Sequence, residues 1–312
     1  MWPTAARDHA LETGEAIVNT VRAVVVAFNP PDDGESGALP TLCASLLAQG
    51  CSVEVIDNAS HSGERTLELC QGLGATLTRL PHNLGVGGAL DLALRATETS
   101  AWLLTFDQDS RIGATFVEDL MSSIDAWPRA GLIAPTVVDE ASGRPLQGDP
   151  AAAQAFTTGL VITSGAVCRV EALREVGGFR SDLFIDFVDF DLCLRLRRHG
   201  WDIVIEPRAV MQHAIGDMRT HRLGPLRVVS TNHSPDRLYY RFRNITLLLR
   251  DGTFSADRKA GSRAASSLLL TSLKIVAVER NRVAKLAAIR DGLRDGLAGR
   301  SGSRSAPARH QT

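Results

Sequence analysis

The chain has 312 residues, 44% hydrophobic and 22% charged, with 34 Lys and Arg against 35 Asp and Glu for a formal net charge of −1. Those proportions describe an ordinary folded chain of one large or two small domains and exclude disordered, fibrous or collagen-like classes. The near-neutral balance also excludes a general nucleic-acid binder.

Residues 1–20 mix Arg7, Asp8, Glu12 and Glu15 with small residues and carry no apolar run, which excludes a cleaved signal peptide. A flexible N-terminal segment is expected there. Residues 21–28, VRAVVVAF, form a β-branched run that stops at Asn29-Pro30-Pro31, the pattern of a buried strand ending in a turn. A helix is expected over 39–49, where Leu39, Leu42, Leu46 and Leu47 recur near helical spacing before Gly50. The pattern repeats: a strand into Asp57-Asn58, a helix over 64–71, a strand over 75–80, a helix over 86–97, and a strand over 101–106 that runs into Asp107-Gln108-Asp109-Ser110.

Strands and helices alternating at this spacing make βαβ units, which predict an α/β fold with a mostly parallel central sheet flanked by helices. Ligands of such sheets bind beyond the carboxyl ends of the strands. Phe28–Asn29, Asp57–Asn58 and Asp107–Asp109 are therefore expected around one crevice.

Further on, residues 139–155 read as a Gly-, Pro- and Ala-rich loop, 159–170 as extended, 171–176 as a short helix and 188–199 as a longer one closed by Gly200. A short strand, DIVIEP, leads to His213, and the chain is expected to be helical from Arg237. Residues 251–312 hold 12 Lys and Arg against 5 Asp and Glu, a local +7 that leaves −8 for residues 1–250. Their basic residues alternate with Leu268, Leu269, Leu270, Leu273, Ile275 and Val276. Basic amphipathic helices over 251–300 are expected, able to rest on an anionic membrane surface, on the body of the protein or on a second subunit in a homo-oligomer. Residues 301–312 are expected to be disordered. Five cysteines without CxxC spacing predict neither a zinc knuckle nor a disulfide framework, and a cytoplasmic location fits them best.

Two clusters of acids can carry chemistry. Asp107 and Asp109 sit one residue apart where a buried strand ends, so the turning chain can aim both at a divalent cation such as Mg2+ or Mn2+; the plain alternative is that they cap the turn. Asp182, Asp186, Asp189 and Asp191 fall within an otherwise apolar stretch, where carboxylates are costly unless paired or working. Asp189, in the first turn of the helix expected from Val188, could take a proton from an attacking hydroxyl. Asp186 could instead cap that helix, and Asp191 is better read as an i, i+4 partner of Arg195. His213 could be a third metal ligand or a structural histidine. Gly85-Val86-Gly87-Gly88 is half of a dinucleotide fingerprint, but it does not follow the first strand, and its glycines better serve a close approach.

Taken in order, VAFN at 26–29, VIDNAS at 55–60, HNLGVGGA at 82–89, FDQDS at 106–110, Ser164-Gly165, VGGF at 176–179 and LFIDFVD at 183–189 resemble the family 2 inverting glycosyltransferases. FDQDS, LFIDFVD and HSPDRLYYRFRN at 233–244 make the bacterial rhamnosyltransferases the most similar subgroup. The resemblance covers about residues 21–250. It implies a GT-A fold, a single nucleotide-binding domain over 21–250, and a nucleotide-sugar donor, with dTDP-L-rhamnose implied by the subgroup. It implies that Asp57 bonds the pyrimidine base with Phe28 and Asn29 beside it. Asn83 and Gly85 would line the sugar-nucleotide pocket, Asp107, Asp109 and His213 would hold Mg2+ or Mn2+, and Arg237, Arg241 and Arg243 would reach phosphates. Asp189 matches the general base, and Val188 stands where the family's preceding acid usually lies, as in the rhamnosyltransferase subgroup. The implied acceptor is a cell-surface polysaccharide or lipid-linked glycan. Three other readings remain open: a different donor such as UDP-galactofuranose or UDP-N-acetylglucosamine, a sugar-1-phosphate nucleotidyltransferase, and a non-catalytic scaffold.

Overall fold

The computed structural model describes residues 21–98, 100–213, 219–223, 226–230 and 232–304, so the expected flexible segment 1–20 and residues 305–312 of the expected disordered tail lie outside the described residues. Strand β1 (Val21–Ala27) is buried on both sides except at Arg22, as its unbroken β-branched run requires. It pairs in parallel with β2 (Ser52–Asp57) and β4 (Trp102–Asp107), and β3 (Thr76–Arg79) extends the sheet beyond β2. The register sets Ala27 opposite Asp57 and Val26 opposite Asp107, which places both acids at the carboxyl edge of the sheet.

Helices α1 (Ala38–Ala48), α2 (Glu64–Gly72) and α3 (Gly85–Arg95) supply the crossovers, and the short α4 (Phe116–Met121) and α5 (Val170–Glu175) follow later in the chain. Side chains of β1 alternate between two apolar layers. Ala23, Val25 and Ala27 pack with Leu39, Leu42 and Leu46 of α1. Val24 and Val26 pack with Ala89 and Leu90 of α3 and, past the middle of the chain, with Leu192 and Leu196 of α6 (Val188–Arg198).

Beyond β4 the sheet becomes mixed. Strand β9 (Ala166–Arg169) runs antiparallel to both β4 and β6 (Ala130–Asp139), β6 pairs in parallel with β10 (Asp202–His213), and β5 (Ser110–Ile112) closes the edge antiparallel to β10. The expectation of parallel pairing therefore holds through β4 and again between β6 and β10, and gives way where β9 inserts antiparallel between β4 and β6 and β5 adds antiparallel at the edge. The expected loop 139–155 contains one short strand, β7 (Pro145–Gln147), paired with β6, and just after it the two-residue β8 (Phe156–Thr157) pairs antiparallel with β10. The stretch 159–170, expected to be extended, is turned at Thr163–Gly165 before β9 begins, with Ala166 N–H donating to Thr163 O at 2.9 Å.

Three helices form the C-terminal part: α7 (Pro235–Arg250), α8 (Arg258–Val278) and α9 (Arg282–Leu297). Ser234 caps α7 by accepting from Arg237 N at 3.2 Å, with Pro235 at the first helical position, where its missing N–H costs nothing. Helices α7 and α9 approach backbone to backbone. A Cβ on Gly292 would lie 2.4 Å from Tyr239 O, and one on Gly296 2.7 Å from Arg243 O. Residues 301–304, expected to be disordered, are pinned instead: Arg304 N donates to Tyr240 Oη at 2.8 Å, and its guanidinium pairs with Asp236 and Asp291. All five cysteines are buried and free. Among the described residues, no helix is long and apolar enough to cross a membrane.

Candidate active site

The carboxyl ends of β1, β4 and β10 open into a crevice of about 940 Å³. Asp107 closes β4, the chain turns through Gln108 and Asp109, and β5 starts at Ser110, which lies opposite His213 in the antiparallel register with β10. That pairing carries a residue more than a hundred positions away to the side of Asp109. The ligand atoms of Asp107, Asp109 and His213 lie within 4.8 Å of one another. His213 Nδ1 is buried without a hydrogen-bond partner among the described residues, 3.5 Å from Asp109 Oδ1. A buried imidazole nitrogen left unpaired beside two carboxylates fits a divalent cation, for which all three are suitable ligands. Burial pushes the Asp107 carboxyl above its ordinary range, His213 pulling against that push and Asp109 adding to it.

The turn is tied down from both sides. Gln108 Oε1 accepts from Phe28 N at 2.8 Å, joining the end of β1 to the acid turn. Ser164 Oγ accepts from Asp107 N at 3.0 Å and lies 3.0 Å from Ser110 Oγ. The neighbouring Thr163 donates its Oγ1–H to Asp189 Oδ1 at 2.5 Å. Residues 163–165 thus link the metal-type cluster to the candidate base.

Asp189 lies in the first turn of α6, as its position after Val188 predicts. Burial raises its carboxyl to about 6; the Thr163 hydrogen bond opposes the shift and the charge of Asp107 contributes to it. The segment leading to it is strained, with Phe184, Asp186 and Phe187 at φ of 65°, 64° and 67°. Gly85 fits under this segment: its φ is +71°, and a Cβ there would meet Phe184 O at 2.2 Å, so glycine is required.

Two adjacent residues of α7 hold the strained segment. The Nδ2 of fully buried Asn244 lies 2.8 Å from the carbonyl oxygens of Leu183, Ile185 and Asp186. Arg243 donates to Leu183 O at 2.9 Å, to Asp182 O at 3.2 Å and to Gly302 O, and stacks 4.9 Å over Tyr240. The expectation that Arg243 reaches a phosphate is therefore corrected. Its guanidinium is consumed by backbone carbonyls and is 1% exposed, whereas Arg237 and Arg241 line the crevice. Asp186 does not cap α6; it accepts from Arg237 at 3.2 Å. Asp191 pairs with Arg195 at 2.7 Å, the expected i, i+4 contact, and Asp182 pairs with Arg180 at 2.7 Å, away from the crevice lining.

Of the other expected site residues, Phe28, Asn83 and Gly85 line the crevice. Asn83 Oδ1 accepts from Gly85 N at 2.8 Å. Asp57 and Asn29 are not part of the lining. The Asp57 carboxylate accepts from Ser60 N at 2.9 Å and lies 3.7 Å from Arg79, and Asn29 Oδ1 accepts from His61 N at 2.7 Å. Asn58, next to Asp57, faces the crevice and accepts from Leu84 N. Thr163, Ser164, Gln108 and Asn244 received no role from the sequence. Gln108 lies inside FDQDS and Asn244 ends HSPDRLYYRFRN, so both stood within noted motifs, but a spacing rule for metal or proton transfer has no place for them.

Residues 23–176 match the description Glycosyl transferase family 2. The chain is 30% identical over 280 residues to the dTDP-rhamnosyl transferase RfbF of Shigella flexneri, covering 85% of this chain and 91% of that one. Among solved structures it is similar to S. aureus TarS 1–349 in complex with UDP-GlcNAc, with a TM-score of 0.56 and 16% identity over 89% of this chain and 81% of that one. It is equally similar, at a TM-score of 0.56 and 17% identity, to the mannosyltransferase PcManGT of Pyrobaculum calidifontis in complex with GDP-Man and Mn2+, over 89% and 87% of the two chains. At these identities the two structures establish a shared glycosyltransferase fold.

Proposed function

The chain belongs to glycosyl transferase family 2, and from that premise we propose that it moves L-rhamnose from dTDP-L-rhamnose to a hydroxyl of a polysaccharide or lipid-linked glycan. The observation that carries the reading is Asp189, raised to about 6 and held by Thr163 in the same crevice as Asp107, Asp109 and His213. The likeness to a dTDP-rhamnosyl transferase over most of both chains supports the donor.

In this reading Asp189 accepts the proton of the acceptor hydroxyl as its oxygen attacks the anomeric carbon. The bond from that carbon to the diphosphate oxygen breaks on the opposite face, so the configuration inverts and no covalent enzyme intermediate forms. Thr163 fixes the rotamer of the base, and Phe28 and Asn83 flank the donor side of the crevice. Mg2+ or Mn2+ bound by Asp107, Asp109 and His213 would supply positive charge for the departing diphosphate.

Nucleotide release by the purified protein, measured with dTDP- and UDP-sugars in the presence of Mn2+ and an acceptor extract, tests the donor. Turnover of dTDP-L-rhamnose well above every UDP-sugar is expected; the reverse order would remove the rhamnose reading while leaving the family intact. Replacing Asp109 or His213 by Ala is expected to weaken Mn2+ binding by at least the order of 10-fold to 100-fold that loss of a supporting outer partner causes. Titration calorimetry reads this directly, with Asp182→Ala as the control that leaves binding unchanged.

A further inference from the structure

The basic helices are not used by the transfer chemistry, and one of them has an outward face with nothing against it among the described residues. Helix α8 carries Arg258, Lys259, Arg263 and Lys274 and no acidic residue. Its inner line of Ala260, Gly261, Ala264 and Ile275 is buried. On the other side Leu269, Leu270, Leu273 and Val276 are 64%, 58%, 57% and 53% exposed. Positions i, i+1, i+4 and i+7 fall on one side of a helix, so these four make a continuous apolar ridge and not scattered surface leucines. Arg263, Leu270 and Lys274 share the adjoining line at i, i+7 and i+11, which flanks the ridge with exposed cations, and exposed Arg280 follows the helix end.

Two occupants could cover such a ridge, a second copy of the chain or a lipid surface. An isologous contact between copies would set the cationic line of one α8 against that of the other with no carboxylate on either helix to answer it. Anionic headgroups answer the cations while the acyl boundary takes the leucines. We propose that α8 lies along the surface of an anionic bilayer, with Leu269, Leu270, Leu273 and Val276 in the acyl boundary and Arg263, Lys274 and Arg280 at the lipid phosphates. The helix rests on the bilayer and does not cross it. This location suits a lipid-linked acceptor but does not depend on which sugar is moved, so it and the donor assignment fail separately.

The test is flotation of the full chain with vesicles of phosphatidylcholine alone and of phosphatidylcholine with one-third phosphatidylglycerol. The chain is expected to float with the anionic vesicles and not with the neutral ones. Arg263→Gln with Lys274→Gln should lower the partition roughly 30-fold, given about five-fold for each surface cation. Leu270→Glu with Leu273→Glu should abolish it with the melting temperature unchanged, since both side chains are exposed. Failure of the parent chain to float overturns the proposal, as does equal flotation of the Glu variant. A dimer in light scattering that the Glu variant dissolves, without vesicle binding by the parent, would make the ridge a subunit interface and likewise overturn it.

Discussion

Asp189→Asn is expected to lower kcat roughly 1,000-fold, within the range a positioned general base contributes, while donor binding persists. Asn is nearly isosteric with Asp, and its side-chain oxygen can still accept from Thr163 Oγ1, so the crevice keeps its shape and only the proton acceptor is lost. Single-turnover kinetics together with calorimetric titration of donor separates the two effects; intact turnover in the variant would remove Asp189 as the base. The pH dependence follows from the same residue. The base works as the carboxylate, so with its pKa raised to about 6 the parent kcat should level off above that pH and fall with a slope of one below it.

Stability runs in the opposite direction to activity at this residue. A carboxyl whose pKa rises on folding binds its proton more tightly in the folded state, so its ionisation weakens the fold as pH climbs from the ordinary carboxylate range through about 6. Asp189→Asn is therefore expected to melt above the parent at pH 7.5 in the presence of chelator. The gap should close below about pH 4, where the parent's carboxyl is protonated in both states. Paired thermal scans across that window test the sign.

The second large effect is expected far from any reacting atom. Asn244→Ala removes the donor facing three carbonyl oxygens of the segment that leads into Asp189, leaves Arg243 Nε without the acceptor it uses at 2.9 Å, and takes from Nη2 one acceptor while Leu183 O and Asp182 O remain. At 1–3 kcal/mol for each buried group left unpaired, a loss of about 3 kcal/mol in stability is expected. The segment that carries Phe184, Asp186 and Phe187 at positive φ then loses a side chain that ties down its carbonyls, and kcat should fall on the order of 100-fold, the cost of a misplacement near 1 Å. A structural defect alone would leave the pH profile in place. Positioning predicts that its midpoint drops from about 6 toward the ordinary carboxylate range as water reaches Asp189, while Mn2+ binding at Asp109 and His213 persists. An unchanged midpoint would confine Asn244 to the stability of the fold.

Much of the fold and part of the site could be read along the chain because the signals involved are local. A near-continuous apolar run over six or seven positions marks β1 and β4 as strands buried on both faces, and a turn after each places Phe28 and Asp107 at the carboxyl edge, since parallel neighbours expose the same end. The Asp191–Arg195 pair is set by helical spacing alone. His213 could be suspected from its type but not joined to Asp109, because its partner is chosen by antiparallel pairing across about a hundred residues.

Arg243 shows the limit most plainly. A guanidinium suits a phosphate and a row of backbone carbonyls equally well, and nothing within HSPDRLYYRFRN distinguishes the two. Its burial beneath residues 182–186 decides for the carbonyls, while Arg237 and Arg241 on the same helix are left to the crevice. The same holds for Asp186, taken by Arg237 and not by a helix end, and for Arg304, ordered by Tyr240, Asp236 and Asp291. By itself the amino-acid order determined which elements form and which strand ends carry acids, because period and turn chemistry act over a few residues. Which acid meets which cation, and which polar side chain works and which supports, was decided only when packing fixed the distances between segments remote in the chain.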